Sequence, residues 1–289
     1  MKQRKQGILF IIAAGFFFSL MTLFIRMAGD VPTIQKVFFR NLVAAVVSIV
    51  MLKRSEEGFT IRKDSFYPLF MRCTCGTLGV ICNFYAIGKL NLSDANMLNK
   101  LSPFFAIIMS YFVLKEKANK AEWGAVIVAF IGALFVMKPS FQMEFVYALI
   151  GALGGLGAGI AYTYVRKLGK QGERGPVIVM CFSVFSCLVT LPYLIFCYHP
   201  MRLHQLLSLL LAGVAASGGQ LCITTAYTKA PAKEISVFDY SQILFAAILG
   251  FLFFGQIPDR FSLMGYLIII GCAVFQWRYH IGRGKGFLW

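Results

Sequence analysis

GVICNFYAIGK, from Gly79 to Lys89, returns as GQLCITTAYTK, from Gly219 to Lys229. The offset of 140 residues aligns Gly79 with Gly219, Cys82 with Cys222, Ala86 with Ala226 and Lys89 with Lys229, and it also pairs Phe105-Ala106 with Phe245-Ala246 and Arg26 with Arg166. In so apolar a chain a few identities arise by chance, so the weight lies in the order of apolar spans, breaks and charges that recurs with them. A repeat of this kind marks a duplicated structural unit, and the unit here is built for a membrane.

A hydrophobic fraction of 58% with only 14% charged residues, and a mean hydropathy of +0.73, leaves too little polar surface for a water-soluble domain of this length. The solvent is lipid. A formal net charge of +16 raises nucleic acid or an acidic partner as an explanation, so the positions of the cations matter more than their number. The eight cysteines all fall within apolar segments and form no CxxC pair. They read as small core residues, so neither a metal site, a disulfide framework nor a cofactor is expected.

About 20 apolar residues cross a bilayer as a helix. Charged or Pro/Gly-containing breaks divide the chain into ten such spans. Five lie near Gly7 to Met27, Thr33 to Leu52, Tyr67 to Gly88, Leu92 to Leu114 and Ala121 to Met137; five more lie near Glu144 to Val165, Pro176 to Phe196, Leu206 to Thr228, Ile235 to Phe254 and Phe261 to Trp277. The first follows Met-Lys-Gln-Arg-Lys without a small-residue cleavage signature, and is expected to stay as a transmembrane helix. With the N-terminus in the cytoplasm, the inside segments carry 19 Lys and Arg and the outside segments six. By the positive-inside rule both termini are cytoplasmic, and this topological bias accounts for most of the +16 without nucleic acid.

Five spans per half is an odd number, so the second half enters the membrane from the opposite face. The expected fold is an all-α membrane protein of ten transmembrane helices in two inverted five-helix repeats, residues 1–140 and 141–289. Two similar halves of opposite orientation can exchange conformations, which suits a carrier.

The chain resembles the EamA type of the drug/metabolite transporter superfamily. The residues that carry the likeness are the opening of span 1 from Gly7, FFRNLVAA around Arg40, and NLSDANMLNKLSPFFAIIMSYFVLKEK from Asn91 to Lys117, with its polar start, Leu-x-Pro step and Lys-Glu exit. The second half departs from it: Ile243 stands where Pro103 stands in the first, and Gln256 where Glu116 stands. Those differences leave open whether both halves bend and anchor alike. The resemblance implies a secondary transporter of the cytoplasmic membrane working by alternating access, with a central cavity between the halves. Its partners would be a small-molecule substrate and the lipid bilayer, as a monomer or homodimer. It does not choose the substrate.

Polar and ionisable groups inside a span are costly and usually face a cavity or a partner. Arg40 lies about seven residues into span 2 and Lys100 about eight into span 4, both from the outer end, which places each roughly 10 to 12 Å deep. Asn96, Lys100 and Pro103 follow i, i+4, i+7, and Pro103 frees a carbonyl near Asn99. A broken, cationic helix face of this kind suits a carboxylate or phosphate, with Arg40 as a bidentate donor and Lys100 as a point charge. The bland alternative has Arg40 snorkelling outward and Lys100 paired with Asp94. Span 3 aligns Arg72, Gly76, Gly79 and Asn83 on one stripe. There the glycines read equally as packing, Arg72 reads as an interfacial snorkeller, and Asn83 is deep enough to be a candidate.

In the second half the offset sets Asp239 against Asn99 and Tyr240 against Lys100. Asp239 suits the amine of a zwitterion, a coupling proton, or neutralisation of Lys100. Gln220, Thr224 and Tyr227 share a helical face, and Tyr162 follows the GALGGLGAG run. These suit the sides of a polar cavity, although the two tyrosines read equally as interfacial anchors.

Two transport readings follow. One is a carrier of a small metabolite with an anionic group, amino-acid-like or a carboxylate, met by Arg40 and Lys100. The other is a carrier of an organic cation or quaternary amine, using Asp239 with Tyr162, Tyr227 or Trp123 as an aromatic surround. A membrane enzyme finds no support, since His199, His204 and His280 lie at loops or ends and there is no HExxH, paired-carboxylate or Ser-centred motif. A channel or scaffold is the remaining class.

Overall fold

The computed structural model describes residues 2–55, 59–115, 120–137, 143–229 and 236–285. Among these the regular structure is entirely helical. The first half contributes α1 (Lys2–Met27), α2 (Thr33–Lys53), α3 (Phe66–Lys89), α4 (Leu92–Asn99), α5 (Ser102–Val113) and α6 (Lys120–Met137). The second contributes α7 (Met143–Lys170), α8 (Gly175–Cys197), α9 (Leu203–Lys229), α10 (Ser241–Phe254) and α11 (Arg260–Lys285). A 3-10 turn, Lys63–Ser65, precedes α3, and another, Ser236–Tyr240, leads into α10.

Among the described residues seven helices are long and apolar enough to cross a membrane: α1, α2, α3, α7, α8, α9 and α11. The apolar stretches Trp123–Val136 and Phe238–Phe254 are shorter, and α4 and α5 share the span expected over Leu92 to Leu114. The turn at Glu116-Lys117 and the start of the ninth expected span at Ile235 lie outside the described residues.

Solvation is inverted relative to a water-soluble protein. Large apolar side chains stand outward on successive helices, among them Leu9, Leu78, Ile195, Val214, Leu252 and Leu267. Arg40, Asn41, Arg72, Asn96, Lys100, Asp239 and Gln242 are buried. In lipid the apolar face costs nothing outside, and polar side chains gain by meeting one another or a water-filled cavity inside.

Packing pairs helices across the two halves. α1 runs along α9 and α3 along α7; α2 packs on α8, and α6 on α11; α10 leans on α1 as α5 leans on α7. Exchanging each helix with its counterpart in the other half maps this set of pairings onto itself. Glycines permit the closest approach. A Cβ at Gly79 would stand 3.0 Å from the Ala158 amide nitrogen and 3.1 Å from the Gly154 carbonyl oxygen, so α3 and α7 touch backbone to backbone. At the equivalent crossing of α9 on α1, Gly219 faces instead the ring of Phe18.

Both halves are interrupted at the same level. α4 stops at Asn99 and α5 restarts at Ser102, while the 3-10 turn ends at Tyr240 and α10 begins at Ser241. Pro103 falls in the first turn of α5, where a missing N–H costs no helical bond. It therefore starts a new helix and does not kink a continuous one, so the i, i+4, i+7 face expected for Asn96, Lys100 and Pro103 ends at Lys100. The second half makes its break with Ile243 in place of Pro103, so proline is not what the interruption requires.

Candidate functional site

The two interruptions meet at the centre of the molecule. Lys100 Nζ lies 2.6 Å from Asp239 Oδ2, and the Tyr240 hydroxyl donates to the Lys100 carbonyl oxygen at 3.1 Å. That carbonyl is one of those freed where α4 ends, so a side chain from one break satisfies the backbone of the other. One step deeper into the contact, Gln242 Nε2 donates to Asn96 Oδ1 at 2.6 Å, and Asn96 Nδ2 donates to the Leu92 carbonyl at 2.7 Å. The Lys100 and Asp239 side chains are each only 6% exposed, so neither charge is tolerable without the other.

Beside this contact lies a cavity that opens between the helices. Its walls come from both halves. Arg40 of α2, Arg72 and Asn83 of α3 and Asn99 and Lys100 at the first break stand on one side, with Tyr162 of α7, Phe182 of α8, Gln220 of α9 and Gln242 of α10 on the other. Among the described residues no Asp or Glu lines it.

The cationic wall is built around one ring. The Arg72 guanidinium carbon lies 4.2 Å from the Phe182 ring centroid, and that of Arg40 lies 5.8 Å from the same centroid. Arg40 is 2% exposed and Arg72 4%, so neither reaches an interface, and the snorkelling expected of Arg72 does not occur. Gly76, one turn after Arg72, clears the space for its head, since a Cβ there would collide with Arg72 Nη1 and stand 3.0 Å from the Phe182 ring. Arg40 donates to Asn41 Oδ1. The Nε groups of both arginines are buried without a hydrogen-bond partner, and among the described residues no carboxylate lies within ion-pair distance of either guanidinium. A cation over an aromatic face gains about 0.5 to 2 kcal/mol, against several kcal/mol to desolvate an ion. The arginines are therefore only partly compensated.

Of the residues singled out from sequence, Arg40, Lys100, Asn99, Asn83, Tyr162 and Gln220 line this cavity. Four do not. Asn96 spends its amide on Leu92 and Gln242, Tyr240 turns its hydroxyl to the Lys100 carbonyl, Asp239 holds Lys100, and Thr224 lies against Gly175. The reason is common to the first three: they belong to the seam between the interrupted helices and spend their polar groups there. Asp94, offered as the alternative partner of Lys100, instead accepts from the Tyr266 hydroxyl at 2.7 Å. Trp123 is exposed on α6, and the Tyr227 side chain lies outside the described residues. Sequence reasoning did not find Phe182, which nothing distinguishes among 29 phenylalanines. It placed Arg72 at an interface, although the residue's shared stripe with Gly76 and Asn83 was the available signal.

At one end of the bundle the halves are stitched by hydrogen bonds. Gln35 and His199 exchange two, at 2.9 and 3.0 Å, and Gln205 Nε2 donates to the Ala28 carbonyl at 3.2 Å. Gln256 Oε1 accepts the N–H of Leu92, the first residue of α4, at 3.0 Å. The amide that replaces an acid in the second copy thus caps a helix of the first. Arg26 donates to the Ile87 and Leu90 carbonyls at this end, where α3 gives way to α4.

Residues 5–138 and 146–276 match the EamA-like transporter family. The chain belongs to that family. It is 31% identical over 276 residues to the pseudopaline exporter CntI of Pseudomonas aeruginosa, covering 94% of this chain and 96% of the exporter. It is 26% identical over 284 residues to the riboflavin transporter of Vibrio cholerae, covering 94% and 93%. A solved crystal structure with 15% identity superposes at a TM-score of 0.71 over 94% of this chain and 97% of the other, a likeness of fold. The protein is accordingly a transporter and not an enzyme, and a multi-pass integral membrane protein of the cell membrane.

Proposed function

We propose that this EamA-family protein is a secondary active transporter that carries a small polar organic metabolite bearing an anionic group, by alternating access. The observation that carries the substrate class is the pair Arg40 and Arg72 on the cavity wall with no carboxylate beside them. The cation reading relies on Asp239, whose carboxylate is held by Lys100 2.6 Å away, and on an aromatic surround of which, among the described residues, Tyr162 lines the cavity and Trp123 does not. A cationic ligand would meet two guanidiniums and no free acid.

The mechanism rests on ten spans in two inverted repeats, residues 1–140 and 141–289, with both termini cytoplasmic. The reciprocal helix pairing across the halves supports the two-fold relation, and the 19-to-6 distribution of cations supports the orientation. The stitched end rests on a handful of hydrogen bonds, Gln35 with His199, Gln205 with Ala28 and Gln256 with Leu92. Net contributions of about 0.5 to 1.5 kcal/mol each leave such a seam openable when ligand occupies the cavity. The substrates named for the relatives, pseudopaline and riboflavin, are candidates for a first panel.

The test is counterflow into liposomes containing the purified protein and preloaded with organic anions, amino acids or quaternary amines. Accelerated uptake of labelled anion by internal anion, lost in Arg40→Ala, is the expected outcome. Flux without trans-stimulation would make the protein a channel, and trans-stimulation by amines alone, unaffected by Arg40→Ala, would overturn the substrate class.

A further inference from the structure

The charge inside the cavity can be counted, and the count narrows the ligand further. Arg40 and Arg72 are both nine-tenths or more buried, and neither meets an acid among the described residues. Lys100 also faces the cavity, but Asp239 at 2.6 Å cancels it. Every other lining side chain is neutral. The binding wall therefore presents two positive charges and no negative one. A monocarboxylate neutralises half of that. A zwitterion with one carboxylate neutralises half and brings an ammonium group toward the guanidinium left over.

We propose, resting on the anion-carrier reading above, that the cavity selects a small substrate with two negative charges, one for each of Arg40 and Arg72. Both guanidiniums lie over the same Phe182 ring, so the two charges sit close together on the ligand, as in a short dicarboxylate or a phosphate monoester. Phe182 holds both heads against its face, and Gly76 leaves Arg72 the room to reach it, so the second cation is positioned by the fold and is not a surface charge folded inward. Asn83, whose Oδ1 is buried without a partner, supplies an acceptor for a hydroxyl or amide proton on the same ligand.

Binding to the purified full-length protein, followed by calorimetry and thermal stabilisation, tests this with five probes: succinate, glycerol phosphate, butyrate, alanine and choline. The expected result is that succinate or glycerol phosphate binds at least about tenfold more tightly than butyrate or alanine, since each adds a charge-assisted contact. Whichever of the two leads tells a dicarboxylate from a phosphate ester. Arg72→Gln should bring the dianion down to the affinity of butyrate, while Arg72→Lys keeps part of the preference. If Arg72→Gln does not fold, the ratio measured on the unaltered protein still decides. Butyrate binding as tightly as succinate, or alanine more tightly than both, removes the dianion claim and leaves the anion carrier standing. Binding of choline alone, or of none of the probes, removes both.

Discussion

The two halves of the chain share a scaffold and differ at the cavity. Arg40, Arg72 and Lys100 all belong to the first half, and the residues 140 positions later are Met180, Ala212 and Tyr240. Asn83 is likewise answered by Ile223. The second half returns different groups to the same space: Phe182, whose ring both arginines face, and Asp239, which holds Lys100. A cavity on a two-fold relation between identical copies would repeat each cation across the axis, where like charges repel and desolvation is paid twice. Divergence removes that duplication. It puts the cations on one wall and the ring on the other, with the counter-ion of Lys100 in the seam beside the cavity.

The sharpest way to break this comparison is to exchange the weight of the two walls. Arg40→Ala and Arg72→Ala should each lower flux at low substrate by about 100-fold. Losing one member of a buried charge contact costs about 2 to 5 kcal/mol, and about 1.4 kcal/mol is a factor of ten. Met180→Ala, at the position matching Arg40, should stay within about threefold of the unaltered protein. The measurement is initial-rate uptake in proteoliposomes at matched protein density. A Met180→Ala defect as deep as that of Arg40→Ala would show that the second half shares the charged role.

The seam between the interrupted helices gives the next largest effect, and on stability instead of ligand. Asp239→Ala leaves Lys100 buried and unpaired, for which about 3 to 5 kcal/mol of destabilisation is expected. Lys100→Met with Asp239→Leu should recover most of it, because an apolar pair needs no compensation. A double-mutant cycle on unfolding in detergent reads the coupling. Independent, additive losses would mean that the 2.6 Å contact does not tie the two breaks together.

These expectations also mark how far the sequence could be read. The all-helical membrane class, the transporter family and a buried charge at Arg40 were legible, because apolar length, short motifs and a charge inside an apolar run are local signals. The cavity wall was legible in part. Asn96 stands in the sequence as a ligand candidate by helical spacing, and Asp239 and Tyr240 by the 140-residue offset; neutralisation of Lys100 is one of the three roles open to Asp239, and the 2.6 Å contact matches it. The break at Lys100 turns the wall into a seam, and no spacing along one chain segment reports what the other segment will hold. Phe182 was illegible for a different reason: its role comes from two arginines on other helices, not from its own neighbourhood.

Equal residues in unequal surroundings sharpen the comparison at a smaller scale. Gly79→Ala sets a methyl group against the Ala158 amide and the Gly154 carbonyl, backbone atoms that cannot move without parting α3 from α7. A loss of about 1 to 3 kcal/mol is expected. Gly219→Ala meets a Phe18 ring, which can tilt, and the loss should be below about 1 kcal/mol. Melting of the two variants side by side orders them, and the reverse order would mean that the α1 and α9 crossing is the tighter of the two.

The smallest effect is expected where the copies differ most visibly to the eye. Pro103 invites the view that it breaks its helix, yet the second half breaks at the same level with Ile243. What holds the first break open is the group of contacts from the opposite half: Asp239 on the Lys100 amine, and the Tyr240 hydroxyl on the Lys100 carbonyl. Pro103→Ile restores an N–H that can bond within the first turn of α5 or to the freed carbonyls of α4. It also gives the unfolded chain more freedom, a cost of about 0.4 to 1 kcal/mol. Stability should fall by no more than that, and counterflow should be retained, because the seam does not need the ring. A collapse of transport in a folded Pro103→Ile protein would show that the two interruptions, alike in position, are held by different forces.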